Sequence, residues 1–206
     1  MNLLFLGDSI TDCNHSFTPD NLGCGYVRMI YRQLSQAVPG LSAANKGIDG
    51  FTVTRVHTLW QGLPQKEQYD LVSLLVGVND VGMWMDRDYS SHQLFRLCEA
   101  FAEEYEDLVT DFLDRGIPRV ILMEPFIFQT PEKYLLWRPW LQKLSASIQK
   151  IARTYRLTFL PLQKILDQAA EDLGSASLTT DGIHLTVQGN RILTEKWLEA
   201  FPLPEG

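Results

Sequence analysis

The sequence predicts an α/β protein, a three-layer α/β/α sandwich around a five-stranded parallel sheet. Two observations predict it. Short apolar or β-branched runs alternate along the chain with segments whose apolar residues recur at helical spacing. A chain of 206 residues can also bury a core of its own, and one α/β domain over 1–206 suits that length. Strands that alternate with helices imply parallel pairing, a sheet covered on both faces, and right-handed crossovers. The arrangement reads as flavodoxin-like.

The elements follow in order. The first strand-like run is 2–6, and it stops at Gly7-Asp8-Ser9. Tyr26, Val27, Ile30, Tyr31, Leu34 and Val38 then recur at helical spacing. A second strand over 41–45 runs into Asn45-Lys46-Gly47-Ile48-Asp49-Gly50. A third, 71–77, leads into Gly77-Val78-Asn79-Asp80, followed closely by Met83-Trp84-Met85. The long periodicity from Leu94 to Phe112 closes at Gly116 and Pro118. A fourth strand over 120–124 precedes an aromatic stretch, Phe126-Ile127-Phe128 through Trp137 and Trp140. Helical patterns over 140–155 and 163–173 flank a fifth strand at 157–161, and a last helix spans 187–201.

Chemistry gathers at the strand ends. A hydroxyl where a buried strand breaks into a loop stands where open α/β sheets place their sites. Serine is a weak nucleophile until a base and an oxyanion hole serve it. Asp181-Gly182-Ile183-His184 offers the base. An acid three residues ahead of a histidine can fold back to one ring nitrogen and leave the other for Ser9. The order Ser, Asp, His is one of several in which this constellation occurs. The Gly-rich 45–50 segment offers a backbone N–H, and Asn79 offers a side-chain amide. Ser9, Gly50 and Asn79 fall on the first three strand ends, so all three share one rim.

Four segments in this order resemble the block pattern of the SGNH (GDSL) hydrolases: Gly7-Asp8-Ser9, Asn45-x-Gly47-x-x-Gly50, Gly77-x-Asn79-Asp80 and Asp181-x-x-His184. The 4–13 and 45–50 segments and Ile121 to Phe126 look like the acetylxylan-esterase branch of that family. One departure is Leu185, where many members carry proline. The resemblance implies Ser9 as nucleophile, His184 as base and Asp181 as its orienting acid. It implies an oxyanion hole from the Ser9 and Gly50 N–H groups and the Asn79 amide. It also implies a cofactor-free, metal-free serine esterase that removes short acyl groups, acetyl above all, from a carbohydrate. A lysophospholipase or thioesterase for longer acyl chains uses the same machinery. A non-catalytic binding module that kept the fold is the reading from another class.

The resemblance implies a small-molecule or oligosaccharide ester as partner, and composition argues against other classes. A net charge of −7 and no basic run argue against nucleic acid. No apolar stretch approaches a membrane span. Cys13, Cys24 and Cys98 are scattered and odd in number, which reads as reduced thiols and a cytoplasmic setting. A homo-oligomer is left open. Trp84, five residues past Asn79, is the candidate for substrate contact, as an aromatic platform at the rim. The 126–140 stretch reads as core, interface or a second such platform. Several residues take plainer readings. Asp8 braces its loop, Asp80 caps the segment that follows it, and Gly47 serves turn geometry. Asp167 and Asp172 read as solvated, and His15, His57 and His92 as unpartnered.

Overall fold

In a computed structural model that describes residues 1–201, the sheet forms first in sequence and centrally in space. Strand β1 (Asn2–Gly7) carries Leu3 to Leu6, all buried, as a strand covered on both faces requires. Each such side chain removed from water contributes roughly 1.5–3 kcal/mol. The chain then makes a single helical turn, α1 (Ser9–Asp12), and an amphipathic helix, α2 (Tyr26–Ala37). Strand β2 (Ser42–Gly47) pairs parallel to one edge of β1. After α3 (Val53–Gly62), strand β3 (Leu71–Leu75) pairs to the other edge. Helices α4 (Val78–Met85) and α5 (Ser91–Asp114) lead to β4 (Val120–Met123). Helix α6 (Arg138–Tyr155) leads to β5 (Thr158–Leu160), and α7 (Leu162–Leu173), α8 (Ser175–Leu178) and α9 (Val187–Ala200) complete the described chain.

The strand order is β2-β1-β3-β4-β5, all parallel, the doubly wound order predicted from the alternation. Helices α3, α4, α5 and α6 pack among themselves as one layer, and α2, α7, α8 and α9 as the other. The one buried tryptophan that meets the sheet's polar interior is satisfied: Trp197 Nε1 donates to Ser73 Oγ at 2.9 Å. Side-chain capping is explicit on α5 and α9. Ser90 and Gln93 form a reciprocal capping box on α5, and the Thr186 hydroxyl accepts from Gly189 N–H at the start of α9. Among the described residues no helix is long and apolar enough to cross a membrane.

Register fixes the rim. Gly7 lies opposite both Gly47 and Leu75, so β1, β2 and β3 end level with one another. Gly47 is required by close approach: a Cβ there would stand 2.2 Å from the Asp12 backbone nitrogen, where α1 crosses the end of β2. Four helices, the short α1 and α8 and the longer α3 and α4, go beyond the elements read from sequence. The strands are also shorter than predicted at β3, β4 and β5, ending at Leu75, Met123 and Leu160.

Candidate active site

Ser9 is presented by a capped turn. The Asp8 carboxylate accepts from Ile10 N–H at 3.0 Å and so starts α1 immediately after β1. Ser9 Oγ lies 2.9 Å from His184 Nε2. The other ring nitrogen, Nδ1, lies 2.6 Å from Asp181 Oδ2. Asp181 also accepts from the backbone N–H groups of Ile183 and His184, at 2.9 and 2.8 Å, through its other oxygen. One carboxylate therefore folds its own loop and orients its own histidine. Thr179 closes the loop from below, donating to the His184 carbonyl and accepting from Gly182 N–H. Phe128 N–H, after β4, donates to the Gly182 carbonyl at 2.9 Å and ties the loop to the sheet.

The facing side is built by the loops after β1, β2 and β3. Ile48 N–H donates to the Gly7 carbonyl, and Asn79 Nδ2 donates to the Phe51 carbonyl at 3.1 Å. An amide nitrogen carries two hydrogens, so Asn79 keeps a second N–H to offer. The Ser9 and Gly50 N–H groups donate to no acceptor among the described residues. Gly50 sits at φ +70°, a left-handed turn that glycine accepts without strain. Asp80 corrects the reading from sequence. It does not cap the segment after it; its buried carboxyl accepts from Val53 N–H at 3.2 and 3.3 Å and so caps α3 from across the rim.

The electrostatics differ between the two sides. Burial pushes the Asp8 carboxyl up to about 7, against the Ile10 N–H and the His184 charge that favour its anion. Burial likewise pushes Asp80 up to about 8, against the Val53 N–H. At Asp181 burial also pushes upward, but the His184 ring and the two backbone N–H groups outweigh it and hold the carboxyl below its ordinary range. Asp181 is thus an anion at neutral pH, while Asp80 is a buried carboxyl that retains its proton there.

A cavity of about 570 Å³ opens onto Ser9 and His184, lined also by Ile10, Leu185, Asp49 and the Phe17 ring. Trp84 does not line it; the indole is half-buried against the core. Only the two ends of the 126–140 stretch and Tyr134 join the core, while Leu135 and Leu136 are exposed. Phe126, Ile127, Phe128 and Tyr134 are buried, and Trp137 and Trp140 pack partly against them. Three other plain readings are corrected. His57 is held between Glu104 and Asp111, at 2.7 and 2.9 Å. His15 Nδ1 meets Asp12 at 2.6 Å, and Asp167 is ion-paired with Arg138. The charged partners of His57 and Asp167 lie 29 to 54 residues away, beyond any local spacing rule. Sequence reasoning also missed Asn190. It binds the Leu185 and Thr186 carbonyls and accepts from Tyr26 N–H, so it pins the histidine loop to α2. Its only signal was an asparagine in the first turn of a helix.

Comparison with known proteins follows from this geometry. The model of the GDSL-like lipase/acylhydrolase family matches residues 5–192. The chain is 30% identical to an acetylxylan esterase of Geobacillus stearothermophilus, over 95% of this chain and 91% of that one. A solved catalytic mutant of an acetylxylan esterase from the same organism superposes with a TM-score of 0.81 at 27% identity, covering 98% of this chain and 94% of that one. An α/β hydrolase enzyme from the metagenome of Lake Arreo, Spain, shares the fold with a TM-score of 0.81, at 23% identity over 97% and 94% of the two chains.

Proposed function

The chain belongs to the GDSL-like lipase/acylhydrolase family and is a carboxylic ester hydrolase, and from that premise we propose that it is a serine esterase acting on acetyl esters of a carbohydrate. The observation that carries the mechanism is the line of contacts from Ser9 through His184 to Asp181. With its Nδ1 proton donated to Asp181, His184 presents Nε2 as acceptor for the Ser9 hydroxyl proton. Ser9 Oγ attacks the ester carbonyl as His184 takes that proton. The oxyanion is met by the Ser9 and Gly50 N–H groups and the second N–H of Asn79. His184 then protonates the departing alcohol, and the acyl group rests on Ser9. Water attacks the acyl-enzyme while the same histidine accepts its proton; His184 then returns that proton to Ser9 Oγ as the acyl–oxygen bond breaks, and acetate leaves.

Two features support the substrate class. The 30% identical relative is an acetylxylan esterase. The cavity beside Ser9 is also far larger than a two-carbon acyl group needs, and cavities of roughly 300–1,000 Å³ are the size that takes whole small-molecule ligands. Purified Ser9→Ala is expected to fold normally and to lose on the order of 10⁴- to 10⁶-fold in turnover. A fluorophosphonate adduct should map to Ser9 by peptide mass. Retention of more than about a tenth of wild-type turnover would exclude Ser9 as nucleophile. A p-nitrophenyl ester series from acetate to laurate should decline with chain length; a rise would move the substrate to longer acyl chains.

A further inference from the structure

Phe17 is the most exposed large apolar side chain among the described residues, at 88%, and it stands at the mouth of the cavity that holds Ser9 and His184. A ring so placed covers nothing in its own chain. Yet the segment that carries it is not loose. It is a short 3₁₀ turn, His15–Phe17, in a loop that leaves the helix begun by Ser9. The Asp12 carboxylate accepts from both the backbone N–H and the Nδ1 of His15, at 3.1 and 2.6 Å. Phe17 N–H donates to the Asn14 carbonyl, and the Thr18 hydroxyl donates to the His15 carbonyl at 2.9 Å. Gly23 N–H reaches back to that same hydroxyl at 3.0 Å. The loop closes on itself where Cys24 N–H donates to the Cys13 carbonyl, with the two thiol sulfurs 2.9 Å apart. It is fixed to the nucleophile's helix where Cys13 N–H donates to the Ser9 carbonyl at 3.0 Å.

From this geometry we infer that Phe17, rather than Trp84, is the specificity-determining platform on which the sugar ring of the ester packs. The inference rests on the function proposed above and adds to it the surface that recognises the alcohol part of the substrate. An aromatic face suits the apolar C–H face of a pyranose, and a preorganised ring loses little freedom when it is covered. The charge of the site disfavours an anionic partner, and a neutral sugar meets no such repulsion. Asp49 lines the same cavity, and the chain carries −7 overall. Since the Phe17 loop springs from the helix of Ser9, a sugar seated on the ring is held in a fixed relation to the attacking oxygen. Contact remote from the scissile bond then supports turnover as well as binding.

The test compares an acetylated xylo-oligosaccharide with ethyl acetate, which has no ring to stack. Phe17→Ala should lower kcat/KM on the sugar ester by roughly fivefold to tenfold, the upper range for an aromatic contact. On ethyl acetate it should stay within about twofold of wild type, the scale of an ordinary surface change. Phe17→Tyr keeps the ring and should restore the sugar rate, whereas Trp84→Ala should leave the ratio of the two rates unchanged. Equal losses on both substrates, no loss on either, or a change in particle mass by light scattering in Phe17→Ala would overturn the inference. If wild-type protein hydrolyses neither ester, the function proposed above falls with it. If wild type hydrolyses both and Phe17→Ala matches it, only the role of Phe17 falls.

Discussion

The two sides of the site are built differently. The side proposed to hold the oxyanion consists of three loops at the ends of adjacent strands, stitched to one another and backed by carboxyls that are 1% (Asp8) and 5% (Asp80) exposed. The base side is one short loop whose working side chains are about half exposed, His184 at 47% and Asp181 at 48%. The first side is shaped by the fold and shares in its stability. The second is shaped by its own carboxylate and draws little from the core. Substitutions of the same residue type should therefore separate, one side losing stability and the other activity.

Asp181 and Asp80 make the sharpest pair. Asp181→Ala should cost on the order of 10⁴-fold in kcat, the loss seen when the orienting acid of such a site is removed, while urea midpoints stay near wild type. Asp80→Ala should cost roughly 1–3 kcal/mol in unfolding free energy, because Val53 N–H is left buried without an acceptor. Denaturant melts and initial rates on both variants decide it. A large stability loss in Asp181→Ala would erase the distinction between the two sides.

The difference also explains what could be read in advance. Ser9, Asp181 and His184 stand out in the sequence because proton transfer demands particular residue types, and because Asp181 and His184 are three residues apart. The inner strands β1, β3 and β4 were legible because buried parallel strands are apolar almost throughout, whereas the edge strand β2, Ser42–Gly47, is neither apolar nor fully buried. The fine structure of the oxyanion side was not. Helix α4 contains Val78, Asn79, Asp80 and Gly82, all poor helix formers, and it forms because tertiary contacts hold it. Helix α3 hides its pattern behind two β-branched valines and a buried His57. Asp80 finds its partner at Val53, and no local rule links the two. The exposure of Phe17 likewise depends on where the cavity opens, which only the assembled chain defines.

Asn79 probes the seam between the two designs. Asn79→Ala should lower kcat by roughly 10²- to 10³-fold with a smaller change in KM, as expected for a donor that acts in the transition state. It also removes the bond to the Phe51 carbonyl, so a modest loss of stability should accompany it. A raised KM at unchanged kcat would make Asn79 a ground-state binding residue and would leave the oxyanion side without its side-chain donor.

The last effect concerns pH. Asp80 titrates at about 8 in the folded protein against an ordinary 3.8. Between those values the native state keeps a proton that the unfolded chain has released. The stability this group contributes is therefore fully present below 3.8 and is lost as pH rises through about 8. Asp80→Asn preserves an acceptor for Val53 N–H and cannot ionise. Its stability relative to wild type should improve steadily from pH 5 to pH 8 in urea melts. Asp8, raised to about 7, contributes a slope of the same sign and remains in the variant, so the dependence should become shallower and not vanish. Parallel slopes for the two proteins would show that Asp80 is ionised in the native state.

The contact between Ser9 and His184 joins residues 175 positions apart. The proposed nucleophile is synthesised before its proposed base, at the end of an interior strand of the sheet, and all five strands lie ahead of His184 in the chain. Pairings this distant form late, once the intervening structure has closed the gap. A nascent or half-folded chain therefore carries Ser9 without the means to activate it. Ester cleavage is withheld from the growing polypeptide and conferred on the finished one.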